Sequence, residues 1–140
     1  MSTERGRRRP LSSFVVRGLA LGAGLAAVAA ARTWFDVVEV QGNSMAPTLL
    51  PGEWLLVGRR TYTRRPPRVG EIVLAADPRE PARELIKRVA SVDAEAGTLE
   101  LRGDAPDASI DSRIFGAVTI TAVRWHVVAR YWPPARAARL

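Results

Sequence analysis

Beyond residue 35 this chain never sustains a helical period. Its apolar residues come in short runs rich in Val, Ile, Thr and aromatic side chains, at 37–41, 53–59, 71–75, 83–92, 98–102 and 118–131, and turn residues break them apart. Amphipathic stretches long enough for crossover helices are missing between the runs, which argues against a doubly wound α/β design. The pattern predicts an all-β domain of antiparallel strands, with residues 93–97 as a hairpin turn between two of them.

The one long apolar stretch precedes these runs. Residues 11–31 are apolar except for Ser12, Ser13 and Arg17, close to the roughly 20 residues a membrane-spanning helix requires. One N-terminal transmembrane helix over 11–32 is therefore expected, retained as an anchor, although Ala29, Ala30 and Ala31 also resemble the small-residue end of a removable signal peptide. Arg5, Arg7, Arg8 and Arg9 lie just before it, which predicts a single pass through the cell membrane with residues 1–10 cytoplasmic and the following domain on the outer face. Charge supports this reading over a nucleic-acid partner. Of the net +7, residues 1–32 supply +5 (six arginines against Glu4), while 15 basic and 13 acidic residues leave +2 for 33–140. The expected division is thus 1–10, an anchor at 11–32, a β domain at 33–132 and a poorly ordered tail at 133–140. The basic loop at 59–68 is expected to be solvated or to meet anionic lipid headgroups.

No cysteine rules out disulfides, thiolate nucleophiles and sulfur metal sites, and a single histidine, His126, leaves no zinc cluster. Hydroxyl chemistry remains. Ser44 follows a strand-like run and a Gly-Asn pair and stands shortly before Pro47. Gly42 and Asn43 tolerate positive φ and Pro47 fixes its own, so the Ser44 hydroxyl reads either as a nucleophile on a stiff turn or as a plain turn residue capping a short helical turn.

A nucleophilic serine needs a base. His126 lies inside a β-type run, where a hydrogen-bonded strand histidine is the ordinary explanation. Lys87 is the only lysine among twenty arginines. Strand alternation places it with Leu85 and Val89 on one face and Arg88 on the other. Arginine cannot give up its proton, whereas burial lowers a lysine pKa by up to a few units. Lys87 is then either a desolvated base or a core-edge lysine reaching for water.

Five stretches in order narrow the choice: GNSMAPTL from Gly42, GEWLLV from Gly52, VGEIV from Val69, IKRV from Ile86 and GDAPDASIDSRIFGAV from Gly103. Together they resemble the motif set of the type I signal peptidases. The resemblance implies a signal-peptidase-like β domain in which Ser44 attacks the scissile carbonyl and Lys87 takes its proton. Ser109 matches the serine whose hydroxyl orients the lysine amine. The Ser44 backbone N–H would serve the oxyanion, with Gly42 where some members carry a second, side-chain donor. Asp111 and Arg113 resemble a buried pair that holds the site together, and Asp104 and Arg88 would belong to the same scaffold. Met45, Leu85 and Ile86 match positions lining a shallow pocket for small side chains. Ala105 departs from the usual asparagine, and only 13 residues separate Val89 from Gly103, so a large inserted subdomain is absent.

The implied activity is a membrane-anchored serine endopeptidase that removes signal peptides after small residues from exported precursor proteins. Its partners would be those precursors and membrane lipid, with no nucleic acid and no metal or cofactor. Two other readings stay open: a dedicated protease maturing the propeptide of one metalloenzyme, such as a nickel superoxide dismutase, and a non-catalytic β module that only binds peptides.

Overall fold

The computed structural model describes residues 12–140, with side chains described from residue 23. It divides into two units, 1–33 and Trp34–Leu140. All but the last residue of helix α1 (Ser12–Trp34) lies in the first, and its Leu25 and Val28 are largely exposed. The expected anchor coincides with this helix, but among the described residues no helix is long and apolar enough to cross a membrane. Gly and Ala dominate the segment, and their small side chains carry little apolar surface. The cytoplasmic stretch expected at 1–10 lies outside the described residues.

The regular structure of the second unit is mostly antiparallel sheet, as the short β-branched runs predict. Its strands are β1 (Phe35–Glu39), β2 (Trp54–Gly58), β3 (Ile72–Asp77), β4 (Glu80–Asp93) and β5 (Thr98–Arg102). A single helical turn, α2 (Ser112–Phe115), precedes β6 (Val118–Thr119), β7 (Val123–Trp132) and β8 (Ala138–Arg139). The sheet order is β1-β2-β7-β3-β4-β5-β6, with β8 added to β7. Two expectations change here. The run at 118–131 is broken at Ile120–Ala122 by a 3-10 turn, so β6 pairs with β5 while β7 crosses to β2 and β3. The tail at 133–140 is not loose, because β8 pairs with Ala129 and Arg130 of β7 and Leu140 packs on the core.

Alternation along the strands separates two apolar layers. Val40, Met45, Leu49, Leu55, Val57, Ile72 and Val127 form one cluster. Val73, Ala75, Val89, Leu99, Leu101, Val118 and Val123 form the other. Adjacent Ile72 and Val73 thus bury on opposite faces of β3, and each fully buried Val or Leu contributes about 1.5–3 kcal/mol.

What positions the site is uneven pairing along β4. Glu80–Arg88 pairs with β3, but β5 joins the other edge only from Arg88 onward. Residues 81–87 therefore keep one edge without a strand partner among the described residues. β1 likewise has β2 on one edge only.

Candidate active site

The loop from β1 to β2 carries Ser44. Its base closes through Val40 N–H to Glu53 C=O (2.9 Å) and Gly52 N–H to Val40 C=O (2.8 Å). Within it, Ala46 N–H donates to Asn43 C=O and Leu49 N–H to Met45 C=O, tying residues 43–49 into successive turns. Met45 and Leu49 sink into the first apolar cluster and leave Ser44 half-buried above them. The turn needs no left-handed residue, contrary to the role expected of Gly42 and Asn43: among the described residues, positive φ occurs only at Gly52, Gly70, Gly97 and Gly116. A side chain at Gly42 would meet open space.

Ser44 opens onto a cleft of about 840 Å³. One wall is the loop, with Gly42, Asn43 and Met45, and the other is the free-edged part of β4, with Leu85, Ile86 and Lys87. Met45 is 1% exposed and Leu85 7%, so both present only a sliver to the cleft, and Ile86 is half-buried. Lys87 is 3% exposed, on the face shared with Leu85 and Val89. Its ammonium makes no hydrogen bond or ion pair with any described residue. Burial pushes its pKa down, the negative charge of Asp111 opposes this, and the cations of Arg83 and Arg113 reinforce it.

Behind Lys87 lies the stretch from Gly103 to Arg113. Asp111 is fully buried and caps α2 by accepting from Arg113 N–H. It also accepts from Gly103 N–H (2.8 Å), from the Ser109 hydroxyl (2.7 Å) and from the Arg113 guanidinium (2.9 and 2.5 Å). Ser109, 8% exposed, thus uses its proton on Asp111 and keeps its lone pairs to accept. Ser112 Oγ accepts from Leu101 N–H (2.8 Å), fastening this stretch to β5. Ala105 N–H donates to Ser44 C=O (3.0 Å), which brings the same stretch against the Ser44 loop. Gly103 makes that contact possible, because a Cβ there would collide with Ser109 and with the Ser44 carbonyl.

Asp104 and Arg88 form a second tie. The Arg88 fork donates to both Asp104 oxygens (2.9 and 2.6 Å) and to Gly70 C=O, while Thr48 Oγ1 donates to Asp104 (2.6 Å). Thr48 is a participant the sequence reading missed, although it sits inside GNSMAPTL. Glu53, inside GEWLLV, was missed as well, as were Arg130 and Arg136, to which no local pattern points.

His126 stands apart. It does not line the cleft, and its ring meets Tyr62 edge-on at 6.0 Å. Val73 pairs with Lys87 on one side and with His126 on the other, so a strand separates them by about 10 Å between Cα atoms. Burial lowers the His126 pKa, which suits a neutral ring in the sheet.

Comparison with known proteins identifies the family. The signal peptidase, peptidase S26, family model matches residues 14–96, a range that includes Ser44 and Lys87. The chain is 29% identical to the mouse mitochondrial inner membrane protease subunit 2 over 81% of its own length and 79% of the relative's. It is 29% identical to the Arabidopsis thaliana mitochondrial ATP-independent inner membrane protease subunit 1a, over 71% of each chain. Against the Schizosaccharomyces pombe mitochondrial inner membrane protease subunit 1 the identity is 28%, over 71% of this chain and 74% of the other. With the match spanning more than half of its length, the chain belongs to the signal peptidase, peptidase S26, family.

Proposed function

We propose that this protease is a serine endopeptidase in which Ser44 is the nucleophile and Lys87 its general base, and that it cleaves signal-peptide-type segments from precursor proteins. The observation that carries this reading is Lys87 itself: a lone lysine, 3% exposed, lining the same cleft as Ser44 and depressed in pKa by its burial. A neutral amine there can accept the Ser44 proton as the hydroxyl attacks a carbonyl. Asp111 holds Ser109, whose oxygen, with its own proton committed, is left to accept from an amine; that this amine is Lys87, drawn into the bond during catalysis, is part of the proposal. The Ser44 N–H would donate to the oxyanion of the tetrahedral intermediate, supplemented by backbone or water where Gly42 offers no side chain.

The free edges of β4 and β1 border the cleft, so an extended precursor segment can add as a strand beside Ser44. Met45, Leu85 and Ile86 leave little depth there, which favours small side chains before the cut. Attack expels the downstream chain as its amine, with the proton from Lys87, and water then hydrolyses the acyl-enzyme. Work at a membrane surface is part of the proposal. The relatives are named for the mitochondrial inner membrane, and α1 leaves Leu25 and Val28 exposed for a lipid contact from residues 11–32.

The test is cleavage of a precursor with Ala before the scissile bond, followed by mass spectrometry. A single cut by the native chain and none by Ser44→Ala supports the proposal. Undiminished cutting by Ser44→Ala, or peptide binding with no turnover by the native chain, refutes it.

A further inference from the structure

Glu53, Arg130 and Arg136 are buried or half-buried charges that lie outside the cleft and have no part in the chemistry above. Glu53 is 3% exposed. It accepts from Leu50 N–H (2.9 Å), from Arg136 Nε (2.5 Å) and from Arg130 Nη1 (3.3 Å). Burial alone would raise its pKa, but the Leu50 N–H and the two guanidiniums outweigh it and hold Glu53 below the usual carboxylate range. The two arginines do more than neutralise Glu53. Arg130 Nη1 also donates to Thr48 C=O, and Arg136 Nη2 donates to Pro47 C=O (3.1 Å) and Thr48 C=O (3.4 Å). Arg130 Nε in turn donates to the carbonyl of Arg136, which fixes the arm that carries it.

Apart from Leu50 N–H to Glu53 and Arg130 Nε to the Arg136 carbonyl, these bonds run from the C-terminal part of the chain to residues 47–53, beginning three residues after Ser44. Thr48 joins them to the Asp104–Arg88 pair. Its hydroxyl goes to Asp104, which Arg88 holds, and its carbonyl goes to Arg130 and Arg136. The Ser44 loop is thus gripped from both sides, with Leu140 packed on the cluster that contains Met45 and Leu49. Buried ion pairs of this kind add little stability over apolar side chains of the same volume. What a guanidinium adds is a rigid fork that satisfies a carboxylate and loop carbonyls at once.

We propose that Arg136, with Arg130 and Glu53, is a positioning clamp for the Ser44 loop, so that the C-terminal arm at 133–140 belongs to the catalytic apparatus. The inference rests on Ser44 being the nucleophile. A serine displaced by about 1 Å from its attack geometry loses on the order of 100-fold in rate.

The experiment uses the full chain in detergent and compares Arg136→Ala, Arg136→Lys and Arg136→Ala supplied with free guanidinium ion. Arg136→Ala should lose about 10- to 100-fold in kcat with KM within about twofold. Guanidinium should restore part of the rate, and Arg136→Lys should fall between because one ammonium cannot make the fork. Hydrogen exchange at the Leu49 amide, which donates to Met45 C=O, should quicken in Arg136→Ala while the β5 amides stay protected. An unchanged kcat, or a loss that follows melting temperature in every variant without rescue, overturns the clamp. The nucleophile reading fails separately, if Ser44→Ala still cleaves. In that case Leu49 exchange still decides whether Arg136 holds the loop: faster exchange in Arg136→Ala upholds the clamp and unchanged exchange overturns it.

Discussion

Replacing Asp111 by asparagine should couple stability and chemistry in a way that two measurements can separate. The carboxylate is fully buried and accepts from Gly103 N–H, the Ser109 hydroxyl and both the guanidinium and N–H of Arg113. Burial alone would raise its pKa, but these donors, Arg113 foremost, hold it far below the usual carboxylate range. Asparagine keeps the shape, removes the charge and turns one acceptor into a donor facing other donors. Breaking a buried pair by removing one member costs about 3–5 kcal/mol. The Arg113 side chain is 36% exposed and can rehydrate, which places the loss near the lower end, about 3 kcal/mol. For a domain of this size that is a fall of at least about 12 °C in melting temperature. Because the folded pKa of Asp111 lies below its unfolded value, the stabilisation is fully present above about pH 4 and is lost as pH falls further. The gap between native and variant, measured by denaturant titration, should therefore be widest at neutral pH and close on acidification. Asp111 also favours the ammonium form of Lys87 while Arg113 opposes it. Removing the Asp111 charge should lower the Lys87 pKa further and move the acidic limb of the pH–rate profile to lower pH. Equal stability at pH 7, a gap that persists into acid, or a limb that moves upward would refute the reasoning.

Three other substitutions test separate parts of the site. Gly103→Ala drives a Cβ into Ser109 and the Ser44 carbonyl, so it should destabilise by about 1–3 kcal/mol and depress kcat, read by thermal melting and peptide cleavage. Gly42→Ser places a hydroxyl in open space beside Ser44. It should leave the melting temperature within a few degrees and, as an added oxyanion donor, raise kcat by about tenfold in the peptide-cleavage assay. His126→Gln should keep most of the turnover, since the ring contacts Tyr62 away from the cleft, and a steady-state assay that finds activity abolished in a folded variant would restore histidine as a base.

Most of the sheet was legible in the sequence, because strands such as Thr98–Arg102 announce themselves by alternation and turn residues. Lys87 stood out through composition, one lysine among twenty arginines on an apolar strand face. The C-terminal arm was not legible. Its Pro, Ala and Arg read locally as a loose tail, and its order comes from guanidinium bonds to a carboxylate and carbonyls more than 80 residues earlier. The Ser44 turn was misread in its mechanism for a related reason. Gly42 and Asn43 allow positive φ, but Met45 and Leu49 packing on the core shapes the turn without it. The helix at Ser12–Trp34 was visible from its apolar run, while its Gly and Ala content makes it less apolar than a count of non-polar residues suggests.

The central claim is that Lys87 is a neutral amine poised to take a proton from Ser44. Because it is the only lysine, protein labelled with ¹³C at lysine Cε carries one such side-chain signal, and its pH titration by NMR reads the Lys87 pKa with no competing resonance. The midpoint should lie below the about 10.4 of an unperturbed lysine, and the acidic limb of kcat/KM should share it. A Lys87 midpoint at or above about 10.4, with cleavage already at its plateau at neutral pH, would contradict the account.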